Sequence, residues 1–285
     1  MTSTTDYSRF EAPSALNSHQ YHRPLTRSRH DDVASLPAAV MSEWIKLRSL
    51  RSNRAVLGLA VVIGVLLSWV LATFVKTDPK THVIFTVGQT FIFSTWLSTV
   101  LTVIIGALLF TSEVQHGTLA TTVTAQTARW VIVAAKSMIA ASFGFAMGIV
   151  GIIGGFVGAV GGGLKMGDTS GMAAATVWGL FLTSLAGVFG LGVGMIIRHS
   201  SAAVSTLLVW AFVIENLIRS VAPATMSRFL PFSAADGLLA IQSAGDTPRT
   251  MAVALTRVHD AFLFGGYTVA ILAIGTALLY RRDAN

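Results

Sequence analysis

The chain has 285 residues, 53% hydrophobic and only 12% charged, with a mean hydropathy of +0.68 and a formal net charge of +7. Soluble domains carry about 25% charged residues, so this composition argues against a soluble enzyme and points to lipid. There is no cysteine, which excludes disulfides and thiolate chemistry.

Residues 1–37 are polar, with Asp6, Glu11, Asp31 and Asp32 among their arginines, and they lack the apolar core of a secretory signal. They read as a disordered cytoplasmic tail closed by Pro37. In 38–53, Val40, Trp44, Leu47 and Leu50 recur at helical spacing while Lys46, Arg48 and Arg51 point mostly elsewhere. That pattern predicts a basic amphipathic helix in the headgroup region, with Trp44 at the interface. A plainer reading is the positively charged flank of the first span.

A bilayer core about 30 Å thick needs roughly 20 apolar residues per crossing helix. Six such runs follow, over about 55–75, 85–110, 137–164, 172–197, 200–218 and 261–280, within a transmembrane region of 54–285. The expected fold is therefore an all-α polytopic membrane protein with six transmembrane helices. With the N-terminus in the cytoplasm, thirteen of the 20 Lys and Arg residues fall inside and seven outside, as the positive-inside rule expects. Both termini are then cytoplasmic. The same rule explains the net charge without a nucleic-acid partner.

Residues 219–260 form the largest extracytoplasmic segment. Within it FLPFSAADGLLAI, 229–241, is amphipathic and opens on a proline, which predicts short helices or a re-entrant element. Gly144, Gly148, Gly151, Gly155 and Gly158 recur every three or four residues on one face of the third span. Such a face either packs closely on another helix or lines a pathway. Glu215 is the one acid inside an expected span, in an aqueous cavity or paired with Arg219 four residues on.

Catalytic signatures are missing. The chain contains neither the GxxxxGK[ST] phosphate loop nor the HExxH zinc motif, and no histidine lies well inside a span to serve a serine nucleophile. No cofactor or metal is expected on this chain.

TSEVQHGTLATTVTAQTARW, 111–130, separates the second and third spans. Val114, Leu119 and Val123 offer a modest apolar face among glutamine, histidine and threonines. A short cytoplasmic helix of this kind could rest on the membrane and present a surface to a soluble partner, or it is an inert loop.

Three stretches together resemble the permease subunits of type-2 ABC exporters, particularly the bacterial single-domain ones. SEWIKLRSLRSNR, 42–54, looks like that family's interfacial helix. SEVQHGTLATTVTAQTARWVIVAAK, 112–136, looks like its glutamate, Gly-Thr, arginine, lysine signature, although Gln126, Thr127 and Ala128 stand where the family often has a proline. FLPFSAADGLL, 229–239, resembles its Leu-Pro-Phe element. The resemblance covers residues from about 41 to the C-terminus and implies a coupling helix that docks on a separate ATPase subunit. Glu113, Gly117, Thr118 and Arg129 would form the coupling region, with Trp44, Lys46 and Arg48 in the interfacial helix beside it. ATP and magnesium would sit on the partner, and a second permease copy or homologue would complete a dimer in the bacterial cell membrane. Ser94, Thr95, Ser98, Thr99 and Thr102 suit an amphipathic cargo. A non-transport scaffold or immunity factor is the alternative reading.

Overall fold

The computed structural model describes residues 29–49, 51–74, 87–125, 128–166, 171–239 and 255–282. The described residues are helical with no strand. Helix α1 (Arg29–Ser49) leads into α2 (Arg51–Phe74), followed by α3 (Val87–Gln115), the short α4 (Thr118–Ala125), α5 (Arg129–Gly161) and α6 (Met172–Ile197). Next come α7 (Ser200–Val209), a π-helical turn (Trp210–Ile214) and α8 (Glu215–Val221), which form one continuous rod. Then follow α9 (Ala224–Ser227), α10 (Pro231–Leu239) and α11 (Arg257–Arg282). Six stretches are long and apolar enough to cross a bilayer: Leu57–Phe74, Phe91–Gln115, Arg129–Gly161, Met172–Ile197, Ser200–Val221 and Arg257–Arg281. The chain is a multi-pass membrane protein.

Helix α6 is the centre of the bundle. Of its span 61% is buried inside the protein, against 22% for the first, fifth and sixth spans, which therefore form the rim. Small residues make that centre possible. A Cβ on Gly190 would lie 1.9 Å from the Val103 carbonyl oxygen of α3, so only glycine lets these two backbones touch. The α5 stripe is used in the same way. Gly144 and Gly148 sit against Thr183 of α6, Gly151 against Ser98 of α3, and Gly155 against Phe91 and Ser94 of α3. These four glycines are filled helix contacts in this structure. Thr95, Thr99 and Thr102 are buried too, and each hydroxyl donates to a carbonyl one turn back on its own helix.

Several boundaries differ from the sequence reading. Helix α1 begins at Arg29, inside the stretch expected to be a tail, and Pro37 lies within it; residues 1–28 fall outside the described residues. Val40 and Leu47 dock on Ile139, Phe143 and Met147 of α5, and this packing holds a helix that propensity alone would break at Pro37. The expected interfacial helix over 38–53 accordingly ends at Ser49, and α2 starts at Arg51. Helix α5 starts at Arg129 rather than 137 and carries Lys136 inside it. Helix α3 runs to Gln115, and α11 starts at Arg257, so Glu113 and Asp260 join Glu215 as acids within crossing helices.

Candidate functional site

Two clusters of charge, one at each end of the bundle, stand out in a chain this apolar.

The first gathers the ends of α1, α3 and α5. Glu43 and Lys46 lie one turn apart on α1, with Lys46 Nζ 2.7 Å from Glu43 Oε1. Lys46 also reaches Glu113 Oε1 at the end of α3, 3.2 Å away. From α5, Lys136 Nζ lies 2.9 Å from Glu43 Oε2 and 2.8 Å from Glu113 Oε1. Carboxylates and ammoniums thus alternate around a closed, neutral ring that fastens three helices together. Lys136 is 3% exposed while Lys46 is 46% exposed, so the ring has a buried side and a wet side. Burial works to raise the Glu43 carboxyl. The charge of Lys136 and hydrogen bonds from both lysines outweigh it and hold the group below the ordinary 4.5. Burial likewise works to lower Lys46, but its bond to Glu43 and the charge of Glu113 hold it above the ordinary 10.5.

Beside the ring the chain reverses. Gly117 takes φ +69°, a left-handed residue that ends α3 and turns the backbone into α4. Thr118 opens α4, and its carbonyl accepts the Thr121 and Thr122 hydroxyls. Leu119 is buried, and Val114 and Val123 pack with it against Phe110, Leu191 and Met195. The apolar side of this stretch therefore lies on the bundle while Thr121 and Thr124 face out. A cavity of about 380 Å³ opens between α1, α4 and α5, with Ser42, Glu43, Lys46, Thr121, Thr122 and Ala135 in its wall.

Arg129 is placed elsewhere. Its guanidinium donates to the Tyr280 carbonyl at 2.9 Å and lies 5.5 Å from the Tyr280 ring centroid, tying the head of α5 to the end of α11. Of the four expected coupling residues, Glu113, Gly117 and Thr118 are neighbours and Arg129 is a separate fastening. Trp44 and Arg48 are exposed on α1, and Lys46 alone of the interfacial trio enters the ring. Glu43 and Lys136 complete the ring: Lys136 is the lysine that closes the 112–136 signature, given no role of its own, and Glu43 was not singled out in the sequence. For Glu43 the signal was an acid three residues before Lys46.

At the opposite end Glu215, 1% exposed, accepts the backbone N–H of Phe232 at 3.2 Å and that of Ser233. These are orphan donors in the first turn of α10, where Pro231 supplies no donor of its own. Arg219 forks between Glu215 Oε1 at 3.2 Å and Asp236 Oδ2 at 2.8 Å, and Trp96 Nε1 donates to Asp236 Oδ1 at 2.9 Å. Burial raises the Asp236 carboxyl above its ordinary value, outweighing Arg219 and Trp96. The expected Glu215–Arg219 pair is present, and Asp236 and Trp96 are additions from far along the chain. The cluster seats α10, whose Phe232, Ala234, Ala235, Leu238 and Leu239 are buried against Phe189 and Phe264 among others.

No known protein-family model matches the chain, and comparison with curated proteins finds no match either.

Proposed function

We propose that the chain is the permease subunit of an ATP-driven ABC exporter of the type-2 class, working as a dimer with two separate ATPase subunits. The ring of Glu43, Lys46, Glu113 and Lys136 carries the reading. A partner that pushed on α4 would push on Glu113 five residues before it, and the ring would deliver that force to α1 and α5 together. A half-buried ionic junction suits this task because its hydrogen-bonded charges fix the three helices relative to one another. In this reading the ring end faces the cytoplasm of a bacterial cell, consistent with the distribution of Lys and Arg. ATP and magnesium belong to the partner; the α3 hydroxyls that suggested an amphipathic cargo are buried, and those of Thr95, Thr99 and Thr102 bond within their own helix, so they do not identify the cargo.

Co-purification from native membrane tests this directly. A soluble ATPase in stoichiometric amount is expected to come with the wild-type chain. With Glu113→Gln the ATPase should no longer come down with the permease, which should itself still be inserted in the membrane. Recovery of the permease alone, under conditions that preserve other ABC complexes, would replace this reading with a non-transport membrane factor.

A further inference from the structure

The fifth crossing helix is interrupted by the π turn Trp210–Ile214, in which the Glu215 N–H reaches back five residues to the Trp210 carbonyl. A π turn is an α-helix holding one extra residue. Closing it to α with the sequence unchanged would rotate everything beyond it by about 100° and advance it about 1.5 Å. Glu215 and Arg219 stand directly beyond it, and both carboxylate oxygens of Glu215 hold α10 or its clamp. The wide turn is also supported from the side. Asn216 sits exposed on a rim helix, and its side-chain amide donates to the Phe212 carbonyl at 3.0 Å. The Phe212 ring meets Trp96 edge-on at 5.6 Å, next to the indole N–H that holds Asp236.

We propose that this π turn is a register switch: open, it aims Glu215 and Arg219 at α10; closed to α, it turns them away and releases α10 from the end of the bundle. The inference rests on the fold alone and is independent of the exporter reading. The switch has two positions because helical hydrogen bonds shift by whole residues. Its two sides are coupled because α10 has its first-turn N–H groups on the same carboxylate that the turn orients.

The absence of native cysteine makes the test clean. A cysteine at Ala235, buried on α10, reports seating, and one at Met226, exposed on α9, calibrates reactivity. Labelling by a small membrane-permeant maleimide is expected to be slow at 235 and fast at 226. Asn216→Leu removes the side support and should speed labelling at 235 severalfold, up to about tenfold, the factor that one lost hydrogen bond makes in an opening equilibrium. Deleting Val213, an exposed residue of the turn, leaves an ordinary α-helix with Glu215 still aimed at α10. It should keep 235 protected, and in combination with Asn216→Leu it should cancel the acceleration. Labelling unchanged by Asn216→Leu, or acceleration that persists in the double variant, would overturn the switch. If the deletion fails to insert in the membrane, the Asn216→Leu rate decides alone.

Discussion

Lys136 offers the sharpest test of the ring. Its side chain is 3% exposed, and its ammonium lies within 2.9 Å of two carboxylates on different helices. Lys46 touches the same two carboxylates but is 46% exposed. Proximity alone would rank the two lysines equal; burial does not. Removing one partner of a buried pair costs about 3–5 kcal/mol, because the remaining charge is left without compensation. Glu43 and Glu113 are 11% and 13% exposed and keep Lys46, so Lys136→Met should cost about 3 kcal/mol, the lower end of that range. Lys46→Met, on the wet side, should cost about 0.2–1 kcal/mol. At about 2–4 °C per kcal/mol for a chain of this size, the melting temperature should fall roughly 6–12 °C for Lys136→Met and at most about 4 °C for Lys46→Met. Tryptophan fluorescence of the detergent-purified protein during heating measures both. Adding Glu113→Gln to Lys136→Met should cost less than the sum of the single changes, since it removes an orphaned charge. Equal losses for the two lysines would refute the argument from burial.

The same logic extends to other positions. Glu215→Gln should cost about 2–3 kcal/mol in the same melting assay, since bonds to a charged acceptor carry more than neutral ones and this one is 1% exposed; an unchanged melting temperature would refute the seat. Gly190→Ala should prevent α3 and α6 from meeting and abolish the monodisperse protein on size exclusion. Gly265→Ala, whose new methyl meets nothing within 4 Å, should be neutral or stabilise by up to about 1 kcal/mol. The ring should also respond to pH at both extremes. Glu43 lies below its ordinary 4.5, so its contribution is full above that value and is lost as pH falls through the lowered one. Lys46 lies above its ordinary 10.5, so its contribution is full below that value and is lost as pH rises through the raised one. A spin label at Ala39→Cys should therefore stay immobile between pH 4.5 and 10.5 and loosen only as pH falls well below 4.5 or rises above 10.5; mobility changing within that window would contradict the assignment.

Much of this architecture was written in composition and periodicity. Hydrocarbon leaves a chain few options, so runs such as 172–197 announce crossing helices with no reference to their neighbours. Gly117 and Pro231 also act locally, through φ and a missing donor, but only Pro231 was read in the sequence as opening an element. Helix ends were less so, because a charge looks like a boundary until its partner is known. Lys136 lies well inside α5 only because Glu43 and Glu113, 93 and 23 residues earlier, neutralise it there. Asp236 and Trp96 meet Arg219 for the same kind of reason, since the pairing depends on how α3, α8 and α10 pack. The glycine stripe of α5 announced close contact, but whether that contact was with a helix or an open pathway depended on α3 and α6 arriving against it. Local spacing specifies which residues share a face; only the packed bundle specifies what that face meets.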